Sequence, residues 1–224
     1  SIGQYFYSTS CEGIYVHLYS DNDAKLRLGN QKVNVSQKTG YPWDPSVRIT
    51  VSPENPGEFT VFLRRPDWCP NANIKVNGEQ MNPAIKKGYL TLHREWKPGD
   101  VIELVLEMPV LRMESHPSVR SNCGKVALQR GPLVYCFEEI DNAKDLNDIF
   151  LVEDAEILVR YDKELLGGVI TLETKGRRRD TSIWQNKLYQ PETTKKIDIN
   201  VKAIPYYLWA NRGLGEMLVW IKTE

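Results

Sequence analysis

The chain is 224 residues long, 41 % hydrophobic and 10 % aromatic, with 29 Lys and Arg set against 29 Asp and Glu for a formal net charge of zero. That length suffices for one large all-β core or two ordinary ones, and the balanced charge supplies no long-range field to gather nucleic acid, an anionic membrane or an acidic polymer. No apolar run nears the ~20 residues of a membrane span, and the first residues lack the layout of a signal peptide. The sequence therefore predicts a soluble chain with a neutral or locally read ligand, no nucleic-acid or membrane partner, and a compartment, cytoplasmic, periplasmic or secreted, left open.

Taken in order, Ser1 to Ser8 (SIGQYFYS) lack a strand context and read as the last turns of a helix, a remnant spanning residues 1–10 of what the abrupt start suggests is a fragment. Period-two alternation then dominates, broken every eight to twelve residues by Gly, Pro, Asn or Asp. Ile14, Val16 and Leu18 alternate with Tyr15, His17 and Tyr19; Leu26 and Leu28 face Val33 and Val35 across Gly29-Asn30. Val47, Ile49 and Val51, then Phe59, Val61 and Leu63, flank the turn-rich Pro53 to Gly57. Asn77-Gly78, after Ile74 and Val76, predicts a type I′ hairpin, because both residues tolerate positive φ. Leu90 and Leu92 follow, and Ile102, Leu104, Leu106 and Met108 alternate with Glu103, Val105 and Glu107.

Residues 108–124 lose the alternation and hold two prolines, which places a domain boundary there. Strands resume at Val126 and Leu128; at Leu133, Tyr135 and Phe137; at Ile157 and Val159; over 169–172 and 197–201; and at Met217, Val219 and Ile221. Residues 141–146 and 181–194 read as loops, and Lys175-Gly176-Arg177-Arg178-Arg179 as a solvated hairpin tip. The predicted fold class is all-β: two consecutive β-sandwich, jelly-roll-like domains, 11–112 and 113–224, behind the short helical remnant.

Chemistry is sparse. Glu138 and Glu139 are adjacent in a strand and point to opposite faces, which weakens them as the carboxylate pair a glycosidase needs. Glu103 and Glu107 share a face that reads as solvated. His17, His93 and His116 have no second ligand at metal spacing; the first two read as polar-face strand residues and the third as a loop residue. No phosphate loop, dinucleotide fingerprint or nucleophile elbow occurs. Cys11, Cys69, Cys123 and Cys136 stand far apart with no C-x-x-C pair, leaving free buried thiols, one or two disulfides, or metal ligation open. The aromatic clusters remain: Tyr41 and Trp43; Trp68; Trp96; and the closing stretch Tyr206, Tyr207 and Trp209 with Asn211 and Arg212. Such rings serve a core, an interdomain surface or a sugar-stacking platform.

Seven stretches in order, GQYFYS (3–8), YPWDP (41–45), FTVFLRRPDW (59–68), KVNGE (75–79), GYLTLHREWKPGDVIELVLEMPV (88–110), GKVALQRGPLVYCFEEIDN (124–142) and AIPYYLWANRGLGEMLVW (203–220), together resemble the C-terminal portion of the beta-L-arabinofuranosidase family of glycoside hydrolases, family 127-like. The resemblance implies that β-sandwich domains follow an (α/α)6 barrel in which a zinc-bound cysteine is the nucleophile of a retaining hydrolysis. That barrel's Cys-Cys-Pro-Pro-Asn motif is absent here, so no catalytic, cofactor-binding or metal-binding residue carries over, and zinc belongs to the missing domain. Pro45 stands where the family commonly has Gly. The implied role is a non-catalytic accessory region, inactive alone, with Tyr41, Trp43, Tyr206, Tyr207, Trp209, Asn211 and Arg212 at an interface. Its implied partner is the upstream barrel, with a homodimer or a carbohydrate as further partners. The alternatives are an interaction or dimerisation domain and a stand-alone carbohydrate-binding module using Trp43, Trp68 or Trp96.

Overall fold

The computed structural model describes residues 2–184, 187–191 and 195–224. The chain divides into two compact units, Ser1–Met108 and Pro109–Glu224. The first holds eleven strands among the described residues: β1 (Tyr7–Thr9), β2 (Gly13–Val16), β3 (Asn22–Leu28), β4 (Gln31–Thr39), β5 (Ser46–Pro53), β6 (Gly57–Arg64), β7 (Ala72–Val76), β8 (Glu79–Met81), β9 (Ala84–Lys86), β10 (Tyr89–Trp96) and β11 (Asp100–Leu106). They form a five-stranded sheet ordered β1-β2-β6-β10-β9 and a six-stranded sheet ordered β3-β4-β5-β11-β7-β8.

Alternation sets which face each strand buries. In β11 Ile102, Leu104 and Leu106 are fully buried, and Val33, Ile49, Ile74, Ile14, Leu63 and Leu92 join them in one core between the sheets. Each such side chain contributes roughly 1.5–3 kcal/mol by leaving water. The turn at Asn77 (φ 53°) and Gly78 (φ 86°) has the positive dihedrals that the hairpin signal requires. β2 runs parallel to β6, an arrangement local patterning does not announce.

The helical start is a single 3-10 turn, Ile2–Tyr5, with Ser1 outside the described residues. Tyr7–Thr9 is already extended, because its backbone pairs with Ile14–Val16.

The second unit comprises β12 (Val110–Met113), β13 (Lys125–Arg130), β14 (Leu133–Glu138), the one-turn helix α1 (Glu139–Asn142), β15 (Ile149–Leu151), β16 (Leu158–Asp162), β17 (Val169–Arg179), β18 (Lys196–Pro205), β19 (Met217–Leu218) and β20 (Ile221–Thr223). Residues 110–112, placed in the first domain from the sequence, pair with 128–130 and belong here. The strand path β12-β13-β20-β15-β17-β18-β14-β19 is joined back on itself by pairing of β13 with β14. Leu128, Tyr135, Phe137, Leu146, Ile149, Leu151 and Ile221 form the core it surrounds.

Two loop expectations change. Lys175 to Arg179 is no hairpin tip: these residues complete β17 and pair with β18 from Lys196 to Asn200. Gly176 faces inward, where an added Cβ would stand 2.5 Å from Val201 Cγ2, and a glycine at an inward position breaks the apolar alternation. The stretch 141–146 carries the end of α1 and the positive-φ residues Ala143 and Asp145. Of the expected loop 181–194, Thr181–Trp184 is a 3-10 turn; residues 185, 186 and 192–194 lie outside the described residues.

Candidate functional site

In the second unit β18 ends at Pro205, and a 3-10 turn, Tyr206–Leu208, lifts the next rings out of the sheet. Tyr206, Tyr207 and Trp209 are 45 %, 51 % and 46 % exposed. The Tyr206 and Trp209 rings lie nearly parallel, 12° apart with centroids at 6.2 Å. Ile140 and Leu214 are exposed as well. Separated apolar residues at a surface need no explanation, whereas a run of half-exposed aromatics within four residues marks a contact surface.

Arg212, expected at that interface, turns inward instead. Its guanidinium donates to Asp141 Oδ1 at 2.9 Å and closes on Asp141 Oδ2 and Glu138 Oε2. All three side chains are at most 13 % exposed. These bonds to Asp141, working against burial and joined by the bond to Glu138, raise the Arg212 pKa still further. Glu138 Oε1 accepts the Ala210 N–H at 2.9 Å, and Glu216 and Glu139 exchange backbone and carboxylate bonds, so residues 209–216 are tied to the β14–α1 junction. Asn211 fixes its own turn through Nδ2 to Leu208 O at 3.0 Å. The sequence thus found Arg212 but not its partners. The only signal was a carboxylate closing a strongly apolar strand, which demands a cation when buried.

The three tryptophans proposed as a platform do not act together. Trp96 is fully buried and donates through Nε1 to Phe59 O at 3.0 Å, so no ligand reaches it. Trp68 packs against the first core and is stacked by Tyr41 with ring centroids at 6.4 Å. Tyr41 also meets Tyr19 edge-on, which makes it more a flank of the core than a contact surface. Trp43 alone is open, at 46 % exposure.

The outward face of the five-stranded sheet carries His17 and His93, read from the sequence as polar-face strand residues, among aromatic rings. Tyr15 lies on Phe62 with centroids 4.1 Å apart and planes 7° apart, and Tyr89 meets Tyr15 edge-on at 5.4 Å. His17 Nε2 pairs with Ser8 Oγ at 2.8 Å and Nδ1 with Tyr89 Oη at 2.7 Å. Burial first, and the nearby Arg64 second, hold the His17 pKa below its ordinary range. His93 Nδ1 pairs with Thr60 Oγ1 at 3.0 Å, and Nε2 lies 3.2 Å from Glu58 Oε1.

Two family models account for nearly the whole chain: the beta-L-arabinofuranosidase GH127 middle domain over residues 13–108 and the glycoside hydrolase family 127 C-terminal domain over 110–222. The chain belongs to glycoside hydrolase family 127. It is 34 % identical over 233 residues to the non-reducing end beta-L-arabinofuranosidase of Bifidobacterium longum subsp. longum, covering 98 % of this chain and 35 % of that relative. A solved GH127 beta-L-arabinofuranosidase from Geobacillus stearothermophilus T6 superposes with a TM-score of 0.95 at 45 % identity, over 100 % of this chain and 35 % of that one. A solved GH127 beta-arabinofuranosidase gives 0.86 at 31 % identity, over 98 % and 36 %. The GH127 chain therefore spans about a third of the length of these relatives.

The zinc implied by the family resemblance finds no fit in the described part of this GH127 chain. Cys69 and Cys136 are buried and Cys11 and Cys123 exposed, all four as free thiols. Burial pushes both inner thiols up, Cys136 to about 12, which opposes the thiolate that zinc ligation needs. Among the described residues no three His, Cys, Asp or Glu side chains come together to hold a metal. Ellman's reagent at pH 8 should titrate Cys11 and Cys123 within minutes and reach Cys69 and Cys136 only after denaturation; four fast thiols would contradict this burial. An unfolded thiol ionises near pH 9.0 and folded Cys136 near 12. Its stabilising contribution is thus intact below pH 9.0 and is lost as pH climbs toward 12.

Proposed function

We propose that this chain is the non-catalytic C-terminal accessory region of a beta-L-arabinofuranosidase-like glycoside hydrolase. The observation that carries the reading is the pair of matches to the family's middle and C-terminal domains, set beside relatives of which the chain covers about a third. Both units are built of strands around closed cores, and the carboxylates that burial brings together, Glu138 and Asp141, are both engaged by the Arg212 guanidinium rather than poised as acid and base. The parent's reaction would be a retaining glycoside hydrolysis whose nucleophile and proton-donating carboxylic acid lie in a domain other than these two.

The accessory role is mechanical. Tyr206, Tyr207 and Trp209, held in place by the Arg212 ion pairs, supply an exposed apolar surface that packs on the catalytic domain. Purified chain should release no sugar from an aryl beta-L-arabinofuranoside above the uncatalysed rate; measurable turnover sinks the reading. In the parent enzyme, changing Tyr206 and Trp209 together to alanine should lower the midpoint of thermal inactivation by several degrees, leaving KM for the aryl glycoside within about twofold. The same double change in the isolated chain should leave its melting temperature nearly unaltered, since half-exposed rings contribute little there.

A further inference from the structure

The outward face of the five-stranded sheet has chemistry that this mechanical role leaves unused. Across β2, β6 and β10 the outward positions form two rows in register, Gly13 with Thr60 and His93, then Tyr15 with Phe62 and Thr91. Outward positions of a sandwich are ordinarily polar. Here the stacked Tyr15 and Phe62 floor a cleft of about 1200 Å³, walled by the β3–β4 hairpin at Leu28 to Gln31 and by Lys86 and Lys87 before β10.

The cleft's polar groups are of mixed kind. On one side Thr60 Oγ1 pairs with His93 Nδ1 and Glu58 Oε1 lies 3.2 Å from His93 Nε2, a group offering donors and acceptors alike. Two lysines, Lys86 and Lys87, answer two carboxylates, Glu12 and Glu58, so no sign of charge is selected. An aromatic floor, alternating donors and acceptors and no net charge match a neutral polyhydroxylated ring, whose C–H face covers an aromatic ring while its hydroxyls bond to the rim. Concavity argues against a broad protein surface, which would bridge the rims and leave the floor unfilled.

We propose that this cleft is a saccharide-binding subsite, in which one sugar ring packs against the side of Tyr15 that Phe62 leaves uncovered and its hydroxyls engage Thr60, His93 and Glu58. The ligand class is taken from the function proposed above. No residue of this subsite breaks a bond; its effect is to keep a substrate chain near the enzyme.

The test is isothermal titration and amide chemical-shift mapping of the 224-residue chain with a beta-L-arabinofuranosyl disaccharide and with cellotetraose. Saturable binding in the high micromolar to millimolar range is expected for the arabinoside, about tenfold weaker in Tyr15→Ala and His93→Ala and unchanged in Tyr15→Phe and Trp209→Ala. Tyr15→Phe keeps the stacked ring, so its retained affinity separates platform loss from misfolding. Absence of saturation by ~10 mM arabinoside, or binding that Tyr15→Ala and His93→Ala leave untouched, overturns the subsite. So does self-association in sedimentation that Tyr15→Ala abolishes, which would make the face a contact between copies. Family membership and the accessory role survive each of these failures, whereas sugar release by the chain alone would remove the accessory role and leave the subsite standing.

Discussion

Replacing Arg212 with alanine should destabilise the second unit by about 3–5 kcal/mol, the usual penalty when one member of a buried ion pair is removed and the other left unpaired. Glu138 and Asp141 are 6 % and 12 % exposed at the side chain and would face each other without a counter-charge. Arg212→Lys should recover only part of the loss, because an ammonium cannot make the forked contact to Asp141 Oδ1 and Oδ2. Adding Glu138→Gln to Arg212→Ala should recover only part of the loss, since it removes the repulsion between the two carboxylates but leaves Asp141 without its cation. Urea denaturation followed by tryptophan emission reads all four proteins. A loss below about 1 kcal/mol for Arg212→Ala would place the cluster among solvated surface pairs.

Gly13→Ala should cost the first unit about 3 kcal/mol or more, through steric overlap that no rotamer can relieve. A Cβ at Gly13 would stand 1.9 Å from Thr60 O and 2.7 Å from its carbonyl carbon, and φ is +154°. The parallel pairing of β2 with β6 brings these backbones together. The overlap can be removed only by separating the strands, and with them the stacked Tyr15 and Phe62. Gly29→Ala is the control: Gly29 has φ +59° with nothing within 4 Å of an added Cβ, so only the left-handed backbone cost of about 1 kcal/mol applies. Differential scanning calorimetry should show the first unit's transition falling by roughly 10 °C or more for Gly13→Ala and far less for Gly29→Ala. Equal shifts would refute the close approach.

The strands of both units were legible because their inward residues are large and apolar at every second position, as in Ile102, Leu104 and Leu106 or Tyr135 and Phe137. The Asn77-Gly78 turn was legible because its dihedrals admit few residue types. Three features were not. The parallel β2–β6 contact joins segments more than 40 positions apart, and strand patterning carries no information about neighbours. β17 hid its second half because inward Gly176 and half-buried Arg178 interrupt the apolar series. The Arg212 cluster joins residues 71 and 74 positions apart, and Glu138 was read as one of two adjacent strand carboxylates although β14 ends there and Glu139 opens α1. The platform expectation at Trp96 failed for a related reason: composition counts rings, while alternation within β10 decided which way this one pointed.

The position of β20 bears on how the protein is made. Residues 221–223 lie between β13 and β15, pairing antiparallel with the first and parallel with the second. A ribosome delivers β13 about 95 positions earlier, so that strand's open edge must wait, able to pair with other nascent chains. The first unit meets no such delay, since all its partners lie within Ser1–Met108. Synthesis therefore yields a finished first unit joined to an open second one, and chaperone demand should concentrate on the interval before Ile221 emerges.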